Sequence, residues 1–459
     1  MPTALDLHDI QGNILRAYRQ EKNGRFLFFC IRDAAAGRAF LGMLAPLVTG
    51  AEWKCRPEVT TNVALTHAGL RALELPADTL DSFPSDFSQG MRARARDLGD
   101  TGQSGPENWD EPWRSSRVHV LVSCYSAQEE RLRRHCEDLI AKAPQGVAEL
   151  PDRQKAARIL QNGQAVEHFG FADGFSNPAI EGMPAGANKN LLGNPDGHGG
   201  FSDIPAGEFI LGYPGIGREQ RPLPKPTLLG VNGTYLVFRK LAQDVKAFRT
   251  YVDQQCAILN TISPGHDREF LAAKMVGRWR DGSSLILYPT KPARPDVTNK
   301  FDYNYDPDGA LCPLGAHVRR TNPRSSLGVE GQLTMRRRII RRSIAYGPFV
   351  PELETPDETP RGIVFLAYMS GIDRQFEFVQ QQWINEGDDF QQGRDKDPLA
   401  GDNDCRGRMV VPGDGRAGRP PFLCTKLPRF VTVKGGDYFF APGLTALSLL
   451  AEGRIQGQN

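Results

Sequence analysis

Phe26–Arg32, FLFFCIR, followed by Ala34–Val48, AAAGRAFLGMLAPLV, is the stretch on which the fold turns. The first run is dense in aromatic and aliphatic residues and too short for a buried helix, so it reads as a strand. The second is alanine-rich and long enough for a helix of three turns. The same grammar recurs at Val118–Cys124, a β-rich run. Ser126 follows it as a predicted helix cap, with Glu129 three residues on as a capping box. In that helix Leu132, Cys136, Leu139 and Ile140 share one face. The second half repeats the pattern. Thr234–Phe238 (TYLVF) precedes a helix with Val245, Phe248 and Val252 on one side, and Ile363–Tyr368 (IVFLAY) precedes one carrying Phe376, Val379 and Trp383.

Two strand–helix pairs per half predict an α+β fold of two ferredoxin-like β-α-β-β-α-β units in tandem, with helices packed on antiparallel sheets. The expected division is residues 1–215 and 216–459. The halves also end alike, with EHFGFADG in the first and DYFFAPG in the second, which points to duplication. Met183–Pro226 is rich in Gly, Pro and Asn and reads as a connector. A polar stretch, GDDFQQGRDKDPLAGDNDCRGR (387–408), interrupts the second half and is a candidate cover over a site.

At 459 residues, with 40% hydrophobic and 24% charged residues, the chain can build more than one substantial core. Its 56 basic and 54 acidic side chains nearly balance, which argues against nucleic acid or an anionic membrane as partner. No apolar run is long enough to span a bilayer, and no export signal opens the chain, so a cytoplasmic location is expected. The eight cysteines form no C-x-x-C pair, no zinc pattern and no covalent haem motif, and read as reduced, mostly buried thiols.

Three segments carry candidate chemistry. In Gly170–Gly174, GFADG, glycines flank Asp173. Such a segment is usually a plain turn; its functional reading is a carboxylate presented into a cavity to move a proton. In Cys312–Arg324, CPLGAHVRRTNPR, His317 sits beside arginines whose charge would disfavour its protonation and leave it free to bind a metal. In Arg336–Gly347, RRRIIRRSIAYG, strand alternation through the isoleucines would send neighbouring arginines to opposite faces, with Arg341 inward.

DIQGNIL, HFGFADGFSNPAIEG, GEFILGYP, GRWRDGSSL, CPLGAHVRRTNPR, IIRRSIAYGP and the helix ending QQQW together resemble the dye-decolorizing peroxidase family, in its order and over nearly the whole chain. The likeness is greatest to the larger-chain branch with fungal and related bacterial members. The resemblance implies a non-covalently bound haem b in the C-terminal unit, with His317 as proximal iron ligand. It further implies Asp173 as distal acid–base residue, Arg341 as distal arginine and also a haem-binding residue, and Arg324 as a propionate contact. The proximal histidine of this family bonds a carboxylate, for which Asp397 is the first choice and Glu377 the second. Two positions depart from the pattern: Ala345 replaces a frequent proline, and Ser343 stands where some relatives have asparagine and others glycine.

The implied reaction uses hydrogen peroxide to oxidise organic substrates such as dyes and phenols in one-electron steps. A carboxylate base works only when ionised, and a neighbouring arginine favours the ionised form even in acid, which sets the expectation of best activity at acidic pH. Any of the five tryptophans could relay electrons to the surface, although Trp383 has the register of a core residue. A monomer or small homo-oligomer is expected. The competing reading is a haem-handling protein without turnover, which would need His317 but neither Asp173 nor Arg341.

Overall fold

Phe26–Ile31 has no polar residue on either face, so a strand built from it needs cover on both sides. The computed structural model describes residues 4–151, 153–184, 191, 193–196, 200–328, 331–413 and 420–455. In it β1 (Asn23–Ile31) is buried along nearly its whole length. Next come α1 (Ala34–Leu44), capped by the Asp33 side chain, β2 (Val59–Leu65), β3 (Val120–Ser126), α2 (Glu129–Ala141) and β4 (Val147–Glu149). The second half runs β5 (Thr234–Gln243), α3 (Val245–Ile262), α4 (Arg268–Val276) and the short α5 (His317–Thr321). It closes with β6 (Ile340–Arg341), β7 (Ile344–Tyr346), β8 (Gly362–Met369), α6 (Asp373–Glu377 and Val379–Ile384) and β9 (Val431–Ala441).

Strand order is β2-β3-β1-β4 in the first half and β6-β8-β5-β9 in the second, with β7 also on β8 and every pair antiparallel. Each half is therefore the predicted β-α-β-β-α-β unit. The two sets meet where Phe440 of β9 faces Leu65 of β2, giving one ten-stranded sheet that includes Gln154–Ala157 beside β1.

That sheet curls on itself. In the strand order β5 and β1 are four spacings apart, roughly 19 Å if flat. Yet the Phe26 and Phe238 rings are 5.7 Å apart, and those of Phe28 and Phe238 5.5 Å. Trp113 fills the space between, 4.7 Å from Phe28 and 4.9 Å from Phe238. The tryptophan also explains a glycine. Gly435, at φ +144°, lies beside a register shift in β9, and a Cβ there would overlap the Trp113 indole. Gly435→Ala is expected to cost about 3 kcal/mol through overpacking and backbone strain. Thermal unfolding measures this, and an unchanged Tm would refute it.

Three expectations need correction. Ser126 does not cap α2: it ends β3, where its Oγ donates to Glu58 O (2.7 Å) and accepts from Gln128 N (3.2 Å), while Glu129 pairs with Arg25. EHFGFADG and DYFFAPG are not equivalent ends. The first follows a separate hairpin, Ile159–Gln161 with Gln164–Val166, whereas the second closes β9. The duplication rests on strand order instead. Finally, α6 has wide turns, with Glu377 N bonded to Ile372 O and Asn385 N to Gln380 O, five residues back. Phe376, Val379 and Trp383 are buried all the same. Part of the Met183–Pro226 connector lies outside the described residues. Among the described residues no helix is long and apolar enough to cross a membrane.

Candidate active site

Alternate residues of a strand face one side. Arg239, Leu241 and Gln243 of β5, Ile363 and Phe365 of β8, and Val431 and Val433 of β9 thus floor one internal cavity of about 310 Å³. Its other walls come from the end of α4, from α5 and α6, and from the GFADG loop. His317, Asp173, Arg341 and Arg324 all border it.

His317 is the first residue of α5, preceded by the small pair Gly315–Ala316. Its Nδ1 lies 2.9 Å from Asp397 Oδ2. Asp397 is fully buried and fixed from three directions. Its N donates to Ile384 O (2.7 Å), and its Oδ1 accepts from Leu399 N and Ala400 N (2.8 Å each). Only Oδ2 is left for the imidazole. Donation from Nδ1 leaves Nε2 as the lone-pair nitrogen, and it has no hydrogen bond among the described residues. Burial works against a charge on His317, but Asp397 outweighs it and raises the imidazole pKa. Burial would likewise raise Asp397, but the imidazole holds that carboxyl below its ordinary range.

The arginines beside His317 in sequence do not set its charge, contrary to expectation. Arg319 turns to Asp306 (3.0 Å), and Arg320 to the carbonyls of Trp383, Glu386 and Asp395. Glu377 is not at the histidine either. Both its oxygens are taken by Arg94 (2.5 Å each), and Tyr438 Oη donates to one of them (2.8 Å).

Asp173 is carried by a loop with two positive-φ glycines, Gly170 (+91°) and Gly174 (+84°). A residue that sequence reading overlooked organises this loop. Glu167 accepts from Phe169 N and Phe171 N (2.9 Å each) and from Gln243 Nε2 (2.6 Å), and burial pushes its pKa up. Arg341 reaches the cavity as the β alternation predicts. Arg342 points the opposite way, to Asn13 O and Ile14 O. Arg341 N is held by Asn177 Oδ1 (2.8 Å), and its Nη1 lies 3.7 Å from Asp173 Oδ1. Both side chains keep about a third of their surface open, at 36% and 34%. Ser343 also borders the cavity, so that position offers no amide.

Arg324 is buried, donates to Asn299 O (3.0 Å) and Phe301 O (2.7 Å), and stacks 3.9 Å from the Phe301 ring centroid. Two further arginines join it on the cavity wall. Arg278 faces the same ring at 5.0 Å, and Arg338 donates to Ser176 O (3.1 Å). Burial and then mutual repulsion push Arg338 down to about 9 and Arg278 to about 10. Arg324 Nε is buried with no hydrogen-bond partner among the described residues. Both extra arginines lie in quoted motifs, GRWRDGSSL and the arginine run, but nothing local distinguished them from surface charge.

A family model described as "DyP dimeric alpha+beta barrel domain" matches residues 9–158. Dye-decolorizing peroxidase msp1 of Mycetinis scorodonius is 30% identical over 96% of this chain and 87% of its own length. The chain belongs to the dye-decolorizing peroxidase family. With that family it is an oxidoreductase acting on peroxide. The multifunctional dye peroxidase DyP2 of an Amycolatopsis species is 29% identical over 97% of this chain and 96% of its own. The fungal DyP-type peroxidase structure from Auricularia auricula-judae aligns with TM-score 0.81 at 26% identity, over 98% and 100% of the two chains.

Haem is the cofactor the family implies, and the residues fit it. Among the described residues no group of three or more His, Cys, Asp or Glu could hold a bare metal ion. A single open imidazole suits a metal that brings its other ligands with it. The buried guanidiniums, one with an unsatisfied N–H, suit the anionic carboxylates of haem. Four tryptophans are core residues of this dye-decolorizing peroxidase fold (109, 113, 279 and 383), while Trp53 is half-buried and stacked on Tyr18.

Proposed function

We propose that this chain binds haem b non-covalently in the cavity and uses hydrogen peroxide to oxidise organic reductants such as dyes and phenols in one-electron steps. The observation that carries the reading is the Asp173–Arg341 pair, 3.7 Å apart, in the same cavity as an imidazole whose Nδ1 is tied to Asp397. A haem carrier has use for the imidazole alone.

His317 Nε2 would hold the haem iron, and the bond to Asp397 would make that nitrogen a stronger donor. Arg324, with Arg278 and Arg338 beside it, meets the propionates. Haem, when bound, supplies the redox chemistry that turns one peroxide into two one-electron oxidations. Asp173 removes a proton from the near peroxide oxygen and returns it to the departing one. Arg341 stabilises the negative charge that grows as the O–O bond lengthens, and Asn177 holds the backbone that carries it.

An absorption spectrum and a peroxide-dependent dye assay on haem-loaded wild type and His317→Ala test this. Wild type should show ferric haem and turnover, and His317→Ala should lose both. A wild type that retains haem yet oxidises nothing would move the assignment to haem handling.

A further inference from the structure

Two of the quoted motifs, GFADG and GRWRDGSSL, meet behind the distal loop. Arg280 of the second lies 111 residues from Phe169, yet its Nη1 donates to Phe169 O. The same guanidinium stands 4.9 Å over the Phe171 ring, and Arg280 O accepts from Ala172 N (2.9 Å). On its other side Arg280 Nε donates to Glu269 Oε1 of α4 (2.5 Å), and Nη2 lies 3.5 Å from Glu352 Oε1. The side chain is only 14% exposed and lies behind the cavity wall, not on it.

Gly170 records the same contact. Its φ is +91°, and a Cβ there would stand 2.7 Å from Arg280 Nη1. Glycine at 170 thus permits the bend and also leaves room for the guanidinium. The rest of the segment is already engaged elsewhere. Glu167, from the cavity side, holds Phe169 N and Phe171 N, and its own N donates to Phe171 O (3.0 Å). Both rings pack on Phe248 of α3, at 4.6 and 6.5 Å. Phe169 O is the group left to Arg280, and a buried carbonyl without a donor is costly.

We propose that Arg280 is a positioning residue for the distal acid, holding the Gly170–Gly174 bend from behind so that Asp173 stands opposite Arg341 before peroxide arrives. The proposal rests on the peroxidase reading of Asp173. Without the guanidinium, Phe169 O loses its donor and the bend is free to shift. A displacement of about 1 Å at a reacting group costs up to about 100-fold in rate. Two backbone bonds survive any change of this side chain, Ala172 N to Arg280 O and Asp173 N to Ala165 O (3.0 Å), so the bend loosens without unfolding.

Arg280→Met keeps an apolar chain over the Phe171 ring and removes the fork. In haem-loaded enzyme it should slow the stopped-flow reaction with peroxide by about tenfold, with the absorption spectrum and the KM for dye unchanged. Amide hydrogen exchange at residues 169–173 should be faster in the resting enzyme. The deciding comparison is with Asp173→Asn. Once the acid is gone its placement has no value, so the double variant should be no slower than Asp173→Asn alone. Arg280→Lys keeps the charge beside Glu269 and guards against a fold lost with methionine; it should show the same changes at smaller size. Losses that multiply in the double variant would make Arg280 a general support of the fold and overturn the proposal. Unchanged exchange at 169–173, or a normal peroxide rate despite faster exchange, would overturn it too. Asp173→Asn reacting like wild type would instead refute the reading of Asp173 itself. The two failures are told apart because exchange at the bend needs no turnover.

Discussion

Asp173→Asn and Arg341→Leu are each expected to lower peroxide-dependent turnover by about 10²–10³-fold while haem stays bound. Arg341 acts on His317 and Arg338 through its charge, and its loss is expected to leave the imidazole and the Arg324 cluster in place. Asparagine fills the space of Asp173 and still offers Arg341 an acceptor, yet it cannot take up a proton. Leucine at 341 removes the charge 3.7 Å from Asp173 while preserving the backbone bond to Asn177 Oδ1 and the pairing of β6 with β8. Because both residues serve the same O–O cleavage, the double variant should be little slower than the worse single one. Stopped-flow reaction with peroxide gives the rate of the affected step, and the KM for dye should stay in place. Full activity in either variant, or haem lost with turnover, would remove that residue from the proposed chemistry.

How much of this was legible in the sequence depends on the range of each interaction. The strands of both units were legible because strings such as FLFFCIR and TYLVF carry their burial in their own composition. His317, Asp173 and Arg341 were legible because each sits in a short motif whose local geometry, a helix start, a glycine bend or a strand alternation, aims the side chain. Asp397 was reachable only as one of two carboxylates. It lies 80 residues from His317, and what selects it is the pair of backbone N–H groups of Leu399 and Ala400 that fix its other oxygen. Glu377 reads equally well in one dimension, but Arg94, from the first half of the chain, claims it. Glu167, Arg278 and Arg338 were passed over for the same reason: their roles come from partners far away in sequence. The wide turns of α6 escape periodicity too, since Phe376, Val379 and Trp383 are spaced as in an ordinary helix.

Asp397→Asn is expected to weaken haem binding or turnover by about 10- to 100-fold, although it changes one oxygen to nitrogen. Every hydrogen bond at this carboxylate is received: Oδ2 from His317 Nδ1, Oδ1 from Leu399 and Ala400. An asparagine must turn its NH₂ toward one side or the other. If it faces the two backbone amides, three donors meet with no acceptor, and the turn at Leu399 and Ala400 loses the bonds that fix it. If it faces the imidazole, two N–H groups oppose each other and His317 is driven to the tautomer whose Nε2 carries the proton, with no lone pair left for iron. In the first case the loss includes buried, unsatisfied donors, which cost about 1–3 kcal/mol. Haem titration followed by absorption, with the peroxide assay on the loaded fraction, separates the two consequences. Weakened binding with normal turnover of loaded enzyme would mean that Asp397 orients His317 and no more, and normal binding with slowed turnover would mean that its charge tunes the iron. A variant indistinguishable from wild type in both would show that the 2.9 Å contact does not govern the histidine at all.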